Sequence, residues 1–111
     1  MPNTPSAAVF RALADQTRRD ILKMLRAGPL TSGQIAARFQ SSWPTISRHL
    51  SVLAAANLVV AMRRGSEIYY ELNTSVVQDL VQYMMEWVEP KLPKGGSRAR
   101  SRRRGTRTQE A

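Results

Sequence analysis

Several side chains between positions 42 and 49 have chemistry that suits hydrogen bonding to nucleic acid: Ser42, Trp43, Thr45, Ser47, Arg48 and His49. An arginine guanidinium offers a fork of donors that matches the two acceptors of guanine, and a threonine offers a hydroxyl together with a methyl group for thymine. Ser42 and the free N–H groups of a first helical turn suit a phosphate. Thr45 and Arg48 are therefore the strongest candidates for contact with base edges.

Four of these residues also have purely structural interpretations, and the sequence leaves both open. For Ser42 the alternative is a pure helix cap, and Ser47 is as consistent with a structural role as with a functional one. Trp43 is expected to pack beneath a neighbouring hairpin, with contact to DNA sugars as the alternative. His49 either bonds to backbone or lies at a wet surface position, or it contacts a phosphate or base and adds weak pH dependence.

Catalysis and thiolate chemistry are not expected. The chain of 111 residues has one histidine and no cysteine. It also lacks a serine-containing strand–turn–helix motif that would build a nucleophile. Without cysteine there are no disulfides and no thiolate metal sites, and a cytoplasmic location is the simplest expectation. No apolar run approaches the roughly 18 residues of a membrane span, and the first ten residues lack the features of a secretory signal.

The elements that position the polar residues follow from capping residues and hydrophobic spacing. Five helices are predicted, with starts marked by Ser6, Asp15, Thr31, Ser42 and Ser75. Thr31 and Ser75 each open a capping box, and Gly28, Asn57 and the pair Pro90 and Pro93 mark ends. In the helix after Ser42, here called the recognition helix, Ile46, Leu50 and Leu53 lie at i, i+4 and i+7. They must face the core, so Thr45, Arg48, His49 and Val52 project outward.

A β-hairpin is predicted after the recognition helix. Residues 58–63 and 67–72 are rich in Val, Ile and Tyr, with the sequence RRGSE in the turn between them. Arg63 and Arg64 at its tip suit a minor groove or its phosphates, where the negative potential favours arginine. A solvated turn is the alternative.

Positive charge is concentrated at the end of the chain. Residues 1–92 hold ten basic and seven acidic residues, a net charge of +3, whereas residues 93–111 hold seven basic residues and one acidic residue, a net charge of +6. A polyanionic partner is the natural expectation, and a tail that only keeps the protein in solution is the alternative. We therefore expect a flexible N-terminus over residues 1–5, a globular domain over residues 6–92, and a disordered basic tail over residues 93–111.

The order of elements resembles the winged helix-turn-helix repressors of the ArsR/SmtB family, over residues 6–90. The segments that carry the resemblance are FRALADQTRRDILKML (10–25), SWPTISRHL (42–50) and RRGSEIYYELN (63–73). The resemblance implies a mainly α fold with a small β-hairpin, in the order of four helices, two strands and a fifth helix. Within the family, the chain is most similar to the metal-independent SdpR-type autorepressors.

The resemblance also bears on metals and on assembly. Metal-sensing members carry Cys pairs before the recognition helix or His-containing pairs on the last helix, whereas here the first region reads TSGQIAARF and the last helix has no histidine. No metal switch and no cofactor are therefore expected. The terminal helices are implied to pair with a second subunit through Val9, Phe10, Leu13, Leu80, Tyr83, Met84 and Trp87.

The leading hypothesis is a homodimeric, sequence-specific DNA-binding repressor that occupies a palindrome in double-stranded DNA without catalysing a reaction. Two alternatives remain: a non-specific nucleic-acid-binding protein that depends on its basic tail, and a winged-helix module for protein interaction. No membrane partner is expected, and no residue pattern identifies a small-molecule or protein inducer.

Overall fold

The computed structural model describes residues 4–88. Residues 4–80 belong to one compact unit, and a second unit begins at Val81. The elements are α1 (Ala7–Leu13), α2 (Gln16–Met24), a short 3-10 helix (Leu25–Ala27), β1 (Leu30–Thr31), α3 (Ser32–Ala36), α4 (Trp43–Ala55), β2 (Val59–Arg64), β3 (Glu67–Leu72) and α5 (Thr74–Met85). Helix α5 ends at Met85 and residues 86–88 form turns closed by i→i−3 bonds, so the prediction that the last helix runs to Pro90 is wrong. Pro90, Pro93 and the predicted basic tail lie outside the described residues.

The first four helices begin at the predicted capping residues. Ser6 accepts a hydrogen bond from the N–H of Val9 at 3.4 Å. The capping box at Thr31 is complete, because the Gln34 N–H donates to the Thr31 hydroxyl at 3.1 Å and the Thr31 N–H donates to the Gln34 amide oxygen at 2.9 Å. These bonds satisfy donors that a helix start otherwise leaves unpaired. They fix where each short helix begins.

Two residues with positive φ follow the ends of helices, one after the 3-10 helix and one after α4. Gly28 has φ 142°, and Asn57, just after α4, has φ 62°. Glycine adopts this region without steric cost, and asparagine tolerates it better than most residues. The predicted stops at both positions are confirmed.

The sheet differs from the predicted hairpin in two respects. The strands of the hairpin extend to Arg64 and restart at Glu67, so only Gly65 and Ser66 form the turn. A third strand, the two-residue β1, pairs antiparallel with β3 through Leu30 opposite Tyr70, and the strand order is β1-β3-β2. Two residues are too short for an alternating pattern to be recognisable.

The predicted capping box at Ser75 is wrong. Helix α5 begins at Thr74, so Ser75 is its second residue, and the backbone carbonyl of Asn73 accepts from the N–H of Val77 at 3.2 Å. A Ser-x-x-Gln pattern occurs inside helices as well as at their starts, and here the strand β3 ends only two residues earlier. Because β3 ends at Leu72, α5 begins almost directly after the strand, one residue before the predicted cap.

The core is built around the apolar side of α4. Ile46, Leu50 and Leu53 are at most 1 % exposed. They belong to one cluster with buried residues of α2, α3 and β2, namely Ile21, Ile35 and Val59. Burial of such side chains contributes about 1.5–3 kcal/mol each. The predicted core face of the recognition helix is confirmed.

The apolar residues predicted to form a subunit interface lie on α1, on α5 and in the turn after α5, and they differ in exposure. Val9 is 3 % and Leu80 is 9 % exposed, so their own chain already covers them. Phe10, Met84 and Trp87 are 38 %, 42 % and 65 % exposed, and Leu13 and Tyr83 are half-buried. The rings of Tyr83 and Trp87 meet edge to face, with centroids 5.8 Å apart.

No helix within residues 4–88 is both long enough and apolar enough to span a membrane.

We predict an acid-dependent loss of stability at the start of α2. The Asp15 carboxylate accepts from the backbone N–H of Arg18 at 3.1 Å, and this bond lowers the pKa of Asp15 below its ordinary value of 3.8. A lowered folded-state pKa gives a stabilisation that is present above the unfolded value and is lost as the pH falls through the folded value. The difference in free energy of unfolding between wild type and Asp15→Asn should therefore be largest above pH 3.8. It should shrink at lower pH, because asparagine caps a helix without titrating.

Urea unfolding of both proteins over a series of pH values measures this difference. A difference that stays constant or grows as the acid range is entered would contradict the assignment of Asp15 as a charged cap.

Candidate nucleic-acid interface

The start of the recognition helix, α4, is organised by Ser42. The Ser42 hydroxyl accepts from the N–H of Thr45 at 3.4 Å and lies 3.0 Å from the Thr45 hydroxyl. Pro44 occupies the first turn, where a missing N–H leaves no bond unmade. Ser42 is therefore a cap in this structure. The Thr45 hydroxyl keeps further capacity, because a hydroxyl has one donor and two acceptor positions.

Ser47 and Arg48 lie on the exposed side of α4, away from the buried Ile46 and Leu50. Thr45 is half-buried. Among residues 4–88, Arg48 has neither a hydrogen-bond partner nor an ion-pair partner. Its donors are therefore available to a ligand outside the chain.

Trp43 is 60 % exposed, so the prediction that it packs beneath the hairpin is wrong. Its indole N–H donates to the Ser32 hydroxyl on α3 at 3.2 Å. Together with Ile68 of β3, it lines an open groove between α3 and the hairpin. The short α3 holds the tryptophan at its edge, and the wide groove leaves most of the ring uncovered.

His49 lies on α4, and its side chain is 18 % exposed. Its Nδ1 lies 3.3 Å from Nη1 of Arg18 and 3.9 Å from an oxygen of Asp15, both at the start of α2. Neither of the two structural interpretations anticipated this partner, which is an arginine side chain and not a backbone group. The recognition helix is thereby tied to α2 by a polar contact as well as by its core face.

The two arginines of the hairpin have different surroundings. Arg63 is opposite Ile68 in the ladder between β2 and β3, and Arg64 is opposite Glu67. Because adjacent residues of a strand point to opposite faces, the two side chains diverge. The Arg64 guanidinium carbon lies 5.1 Å from the centre of the Tyr69 ring, within the range of a cation–π contact. Both arginines are exposed at the end of the strand.

Within the described part of the chain, no three His, Asp or Glu side chains are grouped so that they could hold a metal ion. The cationic groups near the exposed side of α4 and the tip of the hairpin instead suit an extended anion.

Three residues that contact the predicted site residues were not identified from the sequence: Arg18, Ser32 and Tyr69. Arg18 and Ser32 are separated from their partners His49 and Trp43 by 31 and 11 positions, and only the folded chain brings them together. The pairing of Arg64 with Tyr69 has a signal in the sequence. A two-residue turn at Gly65-Ser66 places these residues diagonally across the hairpin.

Several known proteins are similar to this chain in sequence and in fold. Residues 15–60 match the family described as "Bacterial regulatory protein, arsR family". The transcriptional repressor SdpR of Bacillus subtilis is 45 % identical over 80 residues, which are 72 % of this chain and 89 % of SdpR. An arsenical resistance operon repressor of Staphylococcus aureus is 32 % identical, over 68 % of this chain and 73 % of that protein.

A solved structure agrees with these relatives. An ArsR-like transcriptional regulator from Rhodococcus sp. RHA1 superimposes with a TM-score of 0.67 at 30 % identity, over 77 % of this chain and 79 % of that one. The winged helix-turn-helix fold expected from the sequence is thus confirmed. The chain belongs to the arsR family of bacterial regulatory proteins, and it is a DNA-binding transcriptional regulator and not an enzyme.

Proposed function

We propose that this protein is a homodimeric, cytoplasmic repressor that occupies a palindromic operator and is released without a metal switch. Residues 6–92 form the DNA-binding and dimerisation domain, and residues 93–111 add affinity for any DNA. The residues that contact DNA are Ser42, Trp43, Thr45, Ser47, Arg48, His49, Arg63 and Arg64. Repression is proposed because the relatives named above are repressors.

One observation carries this proposal: the recognition helix is buried on one side and free on the other. Ile46, Leu50 and Leu53 are at most 1 % exposed, whereas Ser47 and Arg48 face solvent. A helix held this way presents polar side chains to a major groove without losing core contacts. The arginines at the hairpin tip extend the same cationic chemistry to neighbouring phosphates or a minor groove.

A second subunit is proposed from the reach of a single helix. One recognition helix contacts only a few base pairs, so useful specificity needs two helices about 34 Å apart on a two-fold axis. Phe10 on α1, Met84 on α5 and Trp87 in the turn after α5 offer exposed apolar area. Large exposed apolar side chains favour association when a second copy covers them.

The absence of a metal switch is proposed from ligand chemistry. The sequence has no cysteine and only one histidine, and these are the side chains that hold transition metals most strongly. That histidine contacts Arg18, a neighbour that repels a cation.

Selection of duplexes from a random pool tests the proposal. The selected sequences should share a palindrome with half-sites one helical turn apart, bound at least about 10³-fold more tightly than random duplex. Deleting residues 94–111 should weaken both kinds of binding and leave that ratio largely intact. A pool without an enriched motif, or complete loss of binding on truncation, would instead favour a non-specific protein that binds through its tail.

We predict that Arg48→Ala lowers affinity for the selected duplex by about 1–3 kcal/mol per subunit and relaxes preference at one base pair of each half-site. The physical reason is that a guanidinium bidentate to guanine carries sequence information. Fluorescence anisotropy with the selected duplex and single-base variants measures both effects.

Lys23→Ala is the matched control, because Lys23 is an exposed cation in the last turn of α2, whereas the contact with His49 comes from the first turn of that helix. Equal losses in both variants would argue against a base contact by Arg48.

We predict that Arg64→Ala weakens binding to all duplexes similarly. If Arg64 neutralises one phosphate, its loss should reduce the slope of log K against log salt by about 0.9 for each subunit. Titrations at several salt concentrations, with the selected and a random duplex, measure the slope. A loss confined to the selected duplex would contradict a phosphate contact.

A further inference from the structure

Arg18 contacts both α1, which is proposed to pair with a second subunit, and the recognition helix α4, which is proposed to bind DNA. Its Nε donates to the Ala12 carbonyl at 2.7 Å and its Nη2 donates to the Arg11 carbonyl at 3.1 Å. Both carbonyls belong to the end of α1, where helices leave acceptors unpaired. The third nitrogen, Nη1, lies 3.3 Å from Nδ1 of His49 on the recognition helix. One guanidinium thus joins α1 to α4.

The contact with His49 determines where the imidazole carries its proton. An arginine has five donors and no acceptor, and it stays charged in proteins. The Nδ1 atom that faces Arg18 must therefore accept, which leaves the proton of the neutral ring on Nε2. The Asp15 oxygen, 3.9 Å from Nδ1, is too far away to take a hydrogen bond from it. Among residues 4–88, no acceptor therefore lies within hydrogen-bond distance of Nδ1.

We infer that Arg18 is a positioning residue that holds His49 in the Nε2–H tautomer, so that the recognition helix presents this N–H as a hydrogen-bond donor to an acceptor on DNA. The inference rests on the proposed function for its DNA part only. The two ring nitrogens point in different directions, so an Nδ1 turned toward α2 directs Nε2 away from it. Among residues 4–88, Nε2 has no bonding partner.

The class of ligand follows from the direction of the bond. A donor at Nε2 suits a phosphate oxygen or the N7 and O6 acceptors of guanine, and it rejects a donor such as the amino group of cytosine. The neighbours of His49 on the helix, Thr45 and Arg48, are the residues proposed for base contact. His49 would place its donor beside theirs.

Arg19 provides a matched control within the same turn. Its Nη1 donates to the Leu13 carbonyl at 2.6 Å and its Nη2 donates to the Gln16 side chain at 3.1 Å. It therefore holds the end of α1 as Arg18 does, but it does not contact His49. Loss of Arg19 should affect stability without affecting the histidine.

Nitrogen-15 NMR of the histidine ring tests the tautomer in the wild-type protein. At about pH 8.5, where model imidazoles are neutral, Nδ1 should show the shift of an unprotonated nitrogen and Nε2 that of a protonated one. Arg18→Ala should move both shifts toward those of a tautomer mixture, and Arg19→Ala should not. A wild-type ring protonated on Nδ1, or an Arg18→Ala spectrum like that of wild type, would overturn the inference.

A double-mutant cycle tests the role in binding, with the duplex that wild type selects from a random pool as the probe. Arg18→Ala and His49→Ala should each lower affinity about tenfold or more, and the double variant should bind no worse than His49→Ala. His49→Gln should restore part of the affinity, because its amide N–H is a donor that can lie near the position of Nε2.

If Arg18→Ala lowers affinity just as much in the His49→Ala background, Arg18 does not act through His49 and the inference fails. If wild type selects no duplex, the proposed function fails, while the NMR result still decides the tautomer.

Discussion

The burial of one side of α4 is the constraint on which the rest of the structure depends. Ile46, Leu50 and Leu53 fit into a core made by α2, α3 and the sheet. A helix turns about 100° per residue, so a shift of one position would carry Arg48 out of the exposed face and a leucine into water. The hydrophobic contacts therefore fix the rotation of the helix. This rotation in turn determines the direction in which the polar side chains on the opposite side of α4 point.

Helices this short need support from their ends. α1 has seven residues and α3 has five, well below the length at which an isolated helix is stable in water. Side-chain caps define their starts, and the arginines at the beginning of α2 bind the carbonyls at the end of α1. Tertiary packing and capping together make a rigid platform for the recognition helix. The hairpin is joined to these helices through β3, which pairs with β1, the strand directly before α3.

Much of the fold could be predicted from the sequence, because it depends on local rules. Ser6, Thr31 and Ser42 cap their helices through hydrogen bonds to residues only three positions away. The spacing of apolar residues in α4 indicates which side of the helix is buried. The strand β1 was missed because two residues show no pattern, and Ser75 was misassigned because strand β3 ends so close to it. The exposure of Trp43 and the contact of Arg18 with His49 depend on how distant segments meet. Periodicity carries no information on such contacts.

Directed DNA cleavage tests the central claim most directly, and the lack of cysteine in the chain makes it practicable. A cleavage reagent attached through Ser47→Cys, on the exposed side of α4 beside Arg48, should cut the selected duplex within the major groove of both half-sites. The same reagent attached through Lys23→Cys, in the last turn of α2, should cut neither. Cleavage from position 23 but not from position 47 would contradict the account, because another face of the protein would then meet the DNA.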